Sequence, residues 1–230
     1  MVEAVFFDVG STLIRPCPSV AETMARAAAE RGHALTVRDF ELHMPAMDAY
    51  YEAEYLRDGD FWCSHEGSTA IWLDQYRYVC HLAGFGHDAE GMAAAVNEAY
   101  RHASSWEVYA DVAGCLRALK ERGLALGVVS NWDAELEDLL RGLKLLPYFD
   151  TVVSSAAVGY RKPNPVIFEL ACEQARVDPA AAVHVGDRPD ADGDGAQAAG
   201  IRPVIVDRHG AEPDCPYDRV ETLADVPGFL

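Results

Sequence analysis

Apolar and polar positions follow two rhythms along this chain. Residues 2–8 hold an unbroken apolar run, Val5-Phe6-Phe7, that ends on Asp8, the pattern of a short strand buried on both faces. From Pro16 to Ala103 the pattern is helical and strand signals are scarce. Ser19 caps a helix that runs to Glu30 and closes at Gly32. Thr36, with Asp39 three residues on, opens another, which Pro45 breaks or kinks. Residues 66–83 and 88–103 predict two more helices around the Gly84-Phe85-Gly86 turn. Beyond Trp106 helices and strands alternate: helix 111–122 stopped by Gly123, strand 124–129, helix 134–142, strand 151–153, helix 165–176, strand 182–185, short helix 193–199, strand 203–206. Strands joined by single helices imply right-handed crossovers and a parallel sheet. The pattern predicts an α/β protein: a doubly wound, Rossmann-like parallel-sheet core from residues 1–15 and 107–230, and an α-helical cap domain from residues 16–106.

Half of the 230 residues are hydrophobic, enough to build a core. The formal net charge of -18 opposes binding to nucleic acid or to an anionic membrane surface, and its plain consequence is solubility. It does not oppose a small phosphorylated substrate, because a metal ion reverses the local field. The six cysteines form no Cys-x-x-Cys pair and no zinc spacing with histidine, so free buried thiols in a reducing compartment are expected. No basic run precedes an apolar one near Glu3 and Asp8, and no apolar stretch reaches bilayer length. The expectation is a cytoplasmic protein, with its oligomeric state open.

Candidate chemistry gathers at the predicted strand ends. The first strand ends in Asp8, the 124–129 strand in Ser130-Asn131, and the 182–185 strand in Gly186-Asp187, with Asp192 five residues further on. Lys162 precedes Pro163-Asn164-Pro165 at a helix start. Singly, each has an ordinary reading: a helix cap, a turn, or proline at a first helical position. In a doubly wound sheet, however, the carboxyl ends of the strands converge on one crevice. There Asp8 can act as nucleophile or metal ligand, and Asp187 and Asp192 supply the hard oxygens that Mg²⁺ prefers. Ser130 offers a hydroxyl and Lys162 a positive charge to a phosphoryl oxygen. Such a set suits phosphoryl transfer through an aspartyl-phosphate.

The segments Phe7-Asp8-Val9-Gly10-Ser11-Thr12-Leu13, Val129-Ser130-Asn131, Arg161-Lys162-Pro163-Asn164-Pro165 and Val185-Gly186-Asp187, with Asp192 and Gly195-Ala196, resemble the haloacid dehalogenase-like (HAD) hydrolase superfamily, in its subgroup with a helical cap after the first strand. Most members are Mg²⁺-dependent phosphatases; a minority are dehalogenases, phosphonatases or phosphomutases. The resemblance implies Asp8 as nucleophile and Mg²⁺ held by Asp8, the carbonyl of Gly10, and Asp187, with Asp192 in support directly or through water. It implies Ser130 and Lys162 on the phosphoryl group, Thr12 orienting the loop, and Asn131 and Arg161 as weaker candidates with a structural role equally open.

The departure is Gly10, where family phosphatases carry a second aspartate that protonates the leaving oxygen. General acid–base catalysis is worth about 10²–10⁴ in rate. The expectations are therefore a phosphatase favouring good leaving groups, or a weakened relative that binds phosphate and metal without efficient turnover, or, third, a 2-haloacid dehalogenase. Retention of Asp187 and Asp192 disfavours the last. Absence of lysine from the insert disfavours phosphonatase chemistry, since Lys120, Lys144 and Lys162 are the only lysines. Substitute acids are sought among His33, His43, His65, His81, His87 and His102, and at Asp133. His184 reads as core, as do most of Tyr50, Tyr51, Tyr55, Phe61, Trp62, Trp72 and Tyr76.

Overall fold

A computed structural model describes residues 1–211 and 215–230. The chain forms two compact units: Met1–Arg15 with Val108–Leu230, and Pro16–Glu107. The strands are β1 (Ala4–Phe7), β2 (Ile14–Pro16), β3 (Trp106–Val108), β4 (Ala125–Ser130), β5 (Thr151–Ser154), β6 (Ala182–Gly186), β7 (Arg202–Val206) and β8 (Asp218–Val220).

The first unit is an α/β core on a six-stranded sheet in the order β5-β4-β1-β6-β7-β8, with every pairing parallel. β1 is central and wholly buried, which is why its run is apolar without alternation. The chain steps outward to β4 and β5 on one side, then to β6, β7 and β8 on the other. The switch point of this doubly wound sheet therefore falls at β1, where such folds hold their ligands. Register brings the ends into line: Phe7 pairs with Val128 of β4 and with Val185 of β6. Asp8, Ser130 and Asp187 accordingly emerge at one level. One face of the sheet is sealed by Phe6, Val129, Val153, Ile167 and Phe168 among others.

Two readings of the core need adjustment. β8 was not expected, since Asp218-Arg219-Val220 offers one apolar residue. It holds the sheet edge through pairing with β7 and an Arg202–Asp218 ion pair. The expected 193–199 helix is shorter, Asp194–Ala198, and follows a wide π-type turn over Pro189–Gly193.

The second unit is helical: Val20–Glu30, Val37–Glu41, Met44–Asp58, His65–Leu82 and Ala89–Tyr100. The capping boxes Ser19/Glu22 and Thr36/Asp39 form as their spacing requires. Pro45 sits in the first turn of Met44–Asp58, where its missing N–H costs nothing. Of the seven aromatics read as core, Tyr55, Trp62 and Tyr76 are buried; Tyr50, Tyr51, Phe61 and Trp72 are half-buried. β2 and β3 make a separate two-stranded sheet, and the chain passes between the units within them. No described helix is long and apolar enough to cross a membrane. All six cysteines are free, but only Cys80, Cys115 and Cys172 are buried; Cys17 is exposed, which corrects the expectation of six buried thiols.

Candidate active site

Asp8 lies one residue beyond β1, anchored to the sheet by its N–H on the Val185 carbonyl (2.9 Å). The chain then turns tightly. Leu13 N–H and Ile14 N–H both reach Val9 O, Thr12 N–H reaches Gly10 O (2.6 Å), and Ser11 takes the left-handed conformation at φ 56. For a residue with a Cβ that conformation costs about 1–2 kcal/mol, so the turn needs outside support. Thr12 is fully buried, and its hydroxyl donates to Asp187 Oδ1 over a long 3.4 Å.

Three neighbouring segments converge on Asp8. Ser130, at the end of β4, donates to Asp8 Oδ1 at 2.9 Å. Lys162 Nζ donates to the same oxygen at 2.6 Å and to Asp192 Oδ1 at 2.5 Å. The Asn131 side chain grips the Lys162 backbone on both sides, accepting from its N–H at 2.7 Å and donating to its carbonyl at 3.1 Å. Asn131 thus positions Lys162, and Arg161 Nη1 donates to the same Lys162 carbonyl at 3.2 Å. Pro165 and Asn164 begin the following helix, with Asn164 accepting from Val166 N–H.

Asp192 returns over the end of β6 because Gly186 leaves room. A Cβ on Gly186 would lie 2.1 Å from Asp192 Cγ, so no other residue fits. Both Asp192 oxygens are engaged: Oδ1 by Lys162 and by His184 Nε2 (2.8 Å), Oδ2 by the Arg188 N–H (3.0 Å). His184 was read as core. It is fully buried against Phe168, as that reading required, but it also braces this aspartate. Its strand pattern revealed the burial; its partner eight residues on was not legible.

The charges do not balance. Asp8, Asp187 and Asp192 each offer an oxygen within 4.8 Å of the others, and among the described residues Lys162 alone sets an ammonium against them. Burial pushes the Asp8 carboxyl up; Lys162 opposes this and the Asp192 charge adds to it. Asp187 is raised further by burial and by the Asp8 and Asp192 charges. Burial would also raise Asp192, but Lys162 and His184 overcome it and hold that carboxyl well below its ordinary value. Burial would depress Lys162, yet its two carboxylates keep it firmly charged. Desolvation holds His184 below its ordinary value, so it stands as neutral imidazole donating from Nε2 to the ionised Asp192. Two raised carboxyls and a surplus of negative charge form a donor set that a hard divalent cation would complete.

Gly10 has Trp132 for a neighbour. A Cβ built there would meet the indole Cζ3 at 3.4 Å, an ordinary contact. Trp132 is held in turn by Ser155, whose Oγ accepts from its N–H (3.1 Å) and donates to its carbonyl (3.2 Å). Asp133, a candidate substitute acid, accepts from the Glu135 N–H as a local cap. Within the helical unit, His33 is paired with Asp88, and His102 with Glu98.

Fold and site together define a doubly wound core with a buried carboxylate cluster at its switch point. The chain belongs to the haloacid dehalogenase-like hydrolase family, whose model matches residues 2–200. Among its relatives is haloacid dehalogenase-like hydrolase domain-containing protein 3 of Mus musculus, 37% identical over 90% of this chain and 82% of the relative. Another is a glyceraldehyde 3-phosphate phosphatase of Methanopyrus kandleri, 31% identical over 98% of this chain and 97% of the relative. In fold it is similar to a putative HAD hydrolase from Bacillus subtilis solved bound to magnesium, with TM-score 0.79 at 16% identity over 100% of this chain and 98% of that one.

Proposed function

We propose that this hydrolase is a Mg²⁺-dependent phosphatase of small phosphorylated metabolites, with Asp8 as nucleophile. The observation that carries the reading is the bridging of one Asp8 oxygen by Ser130 (2.9 Å) and Lys162 (2.6 Å), beside Asp187. Asp8 attacks phosphorus, the bond from phosphorus to the leaving oxygen breaks, and the phosphoryl group is carried as an aspartyl-phosphate. Water then attacks that phosphorus, inorganic phosphate departs, and the Asp8 carboxylate is restored. Ser130 and Lys162 donate to the phosphoryl oxygens as charge shifts onto them. Asp8, the Gly10 carbonyl and Asp187, with Asp192 in support, would hold Mg²⁺, which would supply charge neutralisation when bound. Thr12 orients Asp187, and Asn131 serves by fixing Lys162. The Methanopyrus kandleri relative, named as a phosphatase, supports a small phosphorylated substrate.

Gly10 provides no proton for the leaving oxygen, so aryl and acyl phosphates are the favoured substrates. The same residue favours a second reading, a protein that binds phosphate and metal but barely turns over. The test is hydrolysis of an aryl phosphate with Mg²⁺, with Asp8→Asn as control. Turnover that depends on Asp8 supports the phosphatase. Calorimetric binding of phosphate and Mg²⁺ without turnover on a broad panel supports the second reading and removes the first. Chloride release from a 2-haloacid without metal would revive the dehalogenase.

A further inference from the structure

Arg208 follows β7, outside every motif above, yet its guanidinium reaches the turn that carries Asp8. Nη1 donates to Asp111 Oδ2 at 2.8 Å and Nη2 to Asp111 Oδ1 at 3.1 Å, the forked pairing of arginine with carboxylate. Nη2 also donates to the Thr12 carbonyl at 2.8 Å, and Nε to the Ser11 carbonyl at 3.3 Å. The guanidinium carbon lies 3.9 Å from the centre of the Tyr109 ring. The cradle is itself fixed, because Asp111 accepts from Thr222 Oγ1 (2.6 Å) and Leu223 N–H (2.8 Å). Arg208 and Asp111 side chains are only 12% and 13% exposed.

An ion pair that merely stapled two segments would be complete with Asp111 alone. Here donors are also spent on consecutive carbonyls three and four residues beyond Asp8. Those carbonyls belong to a turn with two weaknesses: Gly10 confers backbone freedom, and Ser11 is strained at φ 56. Fixing the Ser11 and Thr12 carbonyls fixes the two peptide planes that flank Thr12, and with them the Thr12 hydroxyl and the Thr12 N–H that donates to the Gly10 carbonyl. We propose that Arg208, held by Asp111 and Tyr109, is a positioning residue that locks the Asp8 turn in its working form. The role rests on the reading of Asp8 as nucleophile. Lysine cannot replace it fully, since a point donor does not span a carboxylate and two carbonyls.

A displacement of about 1 Å at the reacting groups costs on the order of 100-fold in rate. Arg208→Ala is therefore expected to lower kcat on an aryl phosphate by about 100-fold with KM changed by less than about threefold. It should also weaken Mg²⁺ binding measured by calorimetry without substrate, and speed hydrogen exchange at residues 9–14. Arg208→Lys should fall between, and added guanidinium ion should restore part of the Arg208→Ala turnover. Circular dichroism and melting establish that each variant is folded; if Arg208→Ala is not, Arg208→Lys decides by the same readouts. A folded variant with kcat, Mg²⁺ affinity and exchange all unchanged overturns the role. If the wild type shows no Asp8-dependent turnover, the phosphatase reading falls, while exchange and Mg²⁺ binding still decide the fate of Arg208.

Discussion

Returning an aspartate to position 10 is the most direct perturbation of this site. The backbone accepts it: Gly10 is not among the positive-φ residues, and among the described residues a Cβ there meets Trp132 Cζ3 alone, at 3.4 Å. The electrostatics also favour it. Three carboxylates already crowd around Lys162, and their mutual repulsion with burial raises Asp8 and Asp187. A further carboxyl in that field is raised above its ordinary value, the direction a general acid requires. A full acid is worth about 10²–10⁴ in rate, or roughly 3–5.5 kcal/mol of barrier. The new group lacks an evolved setting, so a gain of about 10–100-fold is expected, at or below the low end of that range.

The gain must depend on the leaving group. An aryl phosphate with an acidic phenol needs little protonation and should change by less than about threefold; an alkyl phosphate should show the whole effect. The assay is kcat/KM with Mg²⁺ for a series of phosphates of graded leaving-group pKa, comparing wild type, Gly10→Asp and Gly10→Asp/Trp132→Ala. The double variant tests whether the indole obstructs the new side chain. A steep dependence on leaving-group pKa in the wild type that flattens in either variant supports the missing-acid argument. A flat wild-type dependence, or no gain with alkyl phosphates in both folded variants, refutes it.

Asp8→Asn should remove turnover by about 10⁴-fold or more while leaving the fold intact, as read by phosphate release and far-UV circular dichroism. Lys162→Met strips the ammonium from two buried carboxylates and should destabilise the protein by about 3–5 kcal/mol in denaturant melts; an unchanged midpoint would contradict the burial described. The raised Asp8 and Asp187 carboxyls stabilise the metal-free fold below their ordinary range, and that contribution is lost as pH rises through their elevated values. Asp192, depressed, acts in the opposite sense and loses its contribution only as pH falls below its ordinary range. The rise in Tm on adding Mg²⁺ should consequently grow with pH above about 4. A Tm increment that shrinks with pH would show that these acids do not meet the ion.

Much of the core was legible because its strands lie in a doubly wound sheet, where burial on both faces writes itself as apolar runs. Val5-Phe6-Phe7 and Leu126-Gly127-Val128-Val129 are of this kind. Edge and connecting elements were not. β8 has one inward apolar residue, and the π-type turn at Pro189–Gly193 exists to bring Asp192 over Gly186. Single residues at strand ends gave the convergence of Asp8, Ser130 and Asp187, since topology alone brings those ends together, and Lys162 joins them from a helix start through Asn131. Contacts made across the topology left no local trace. Arg208 meets Asp111 across 97 residues and Thr12 across 196, and neither spacing has a signature.

The carboxylates differ in what remains for them to do. Asp192 has Lys162 and His184 on one oxygen and a backbone N–H on the other, and its carboxyl is held low. Its capacity is largely spent on fixing Lys162, whose Nζ bridges it to Asp8. Among the described residues Asp187 has one long side-chain donor, from Thr12 at 3.4 Å, and burial with the neighbouring Asp8 and Asp192 charges raises its carboxyl well above its ordinary value. Unmet charge thus concentrates at Asp187 and Asp8, on the side of the site where the Gly10 turn begins. A cation drawn to that charge would be held chiefly by those two, with Asp192 acting through Lys162. Asp192→Asn should accordingly impair the placement of Lys162, raising KM for the phosphorylated substrate more than it weakens Mg²⁺, whereas Asp187→Asn should abolish Mg²⁺ binding in calorimetry. Equal loss of Mg²⁺ affinity in both variants would assign Asp192 a place beside Asp187 as a direct ligand.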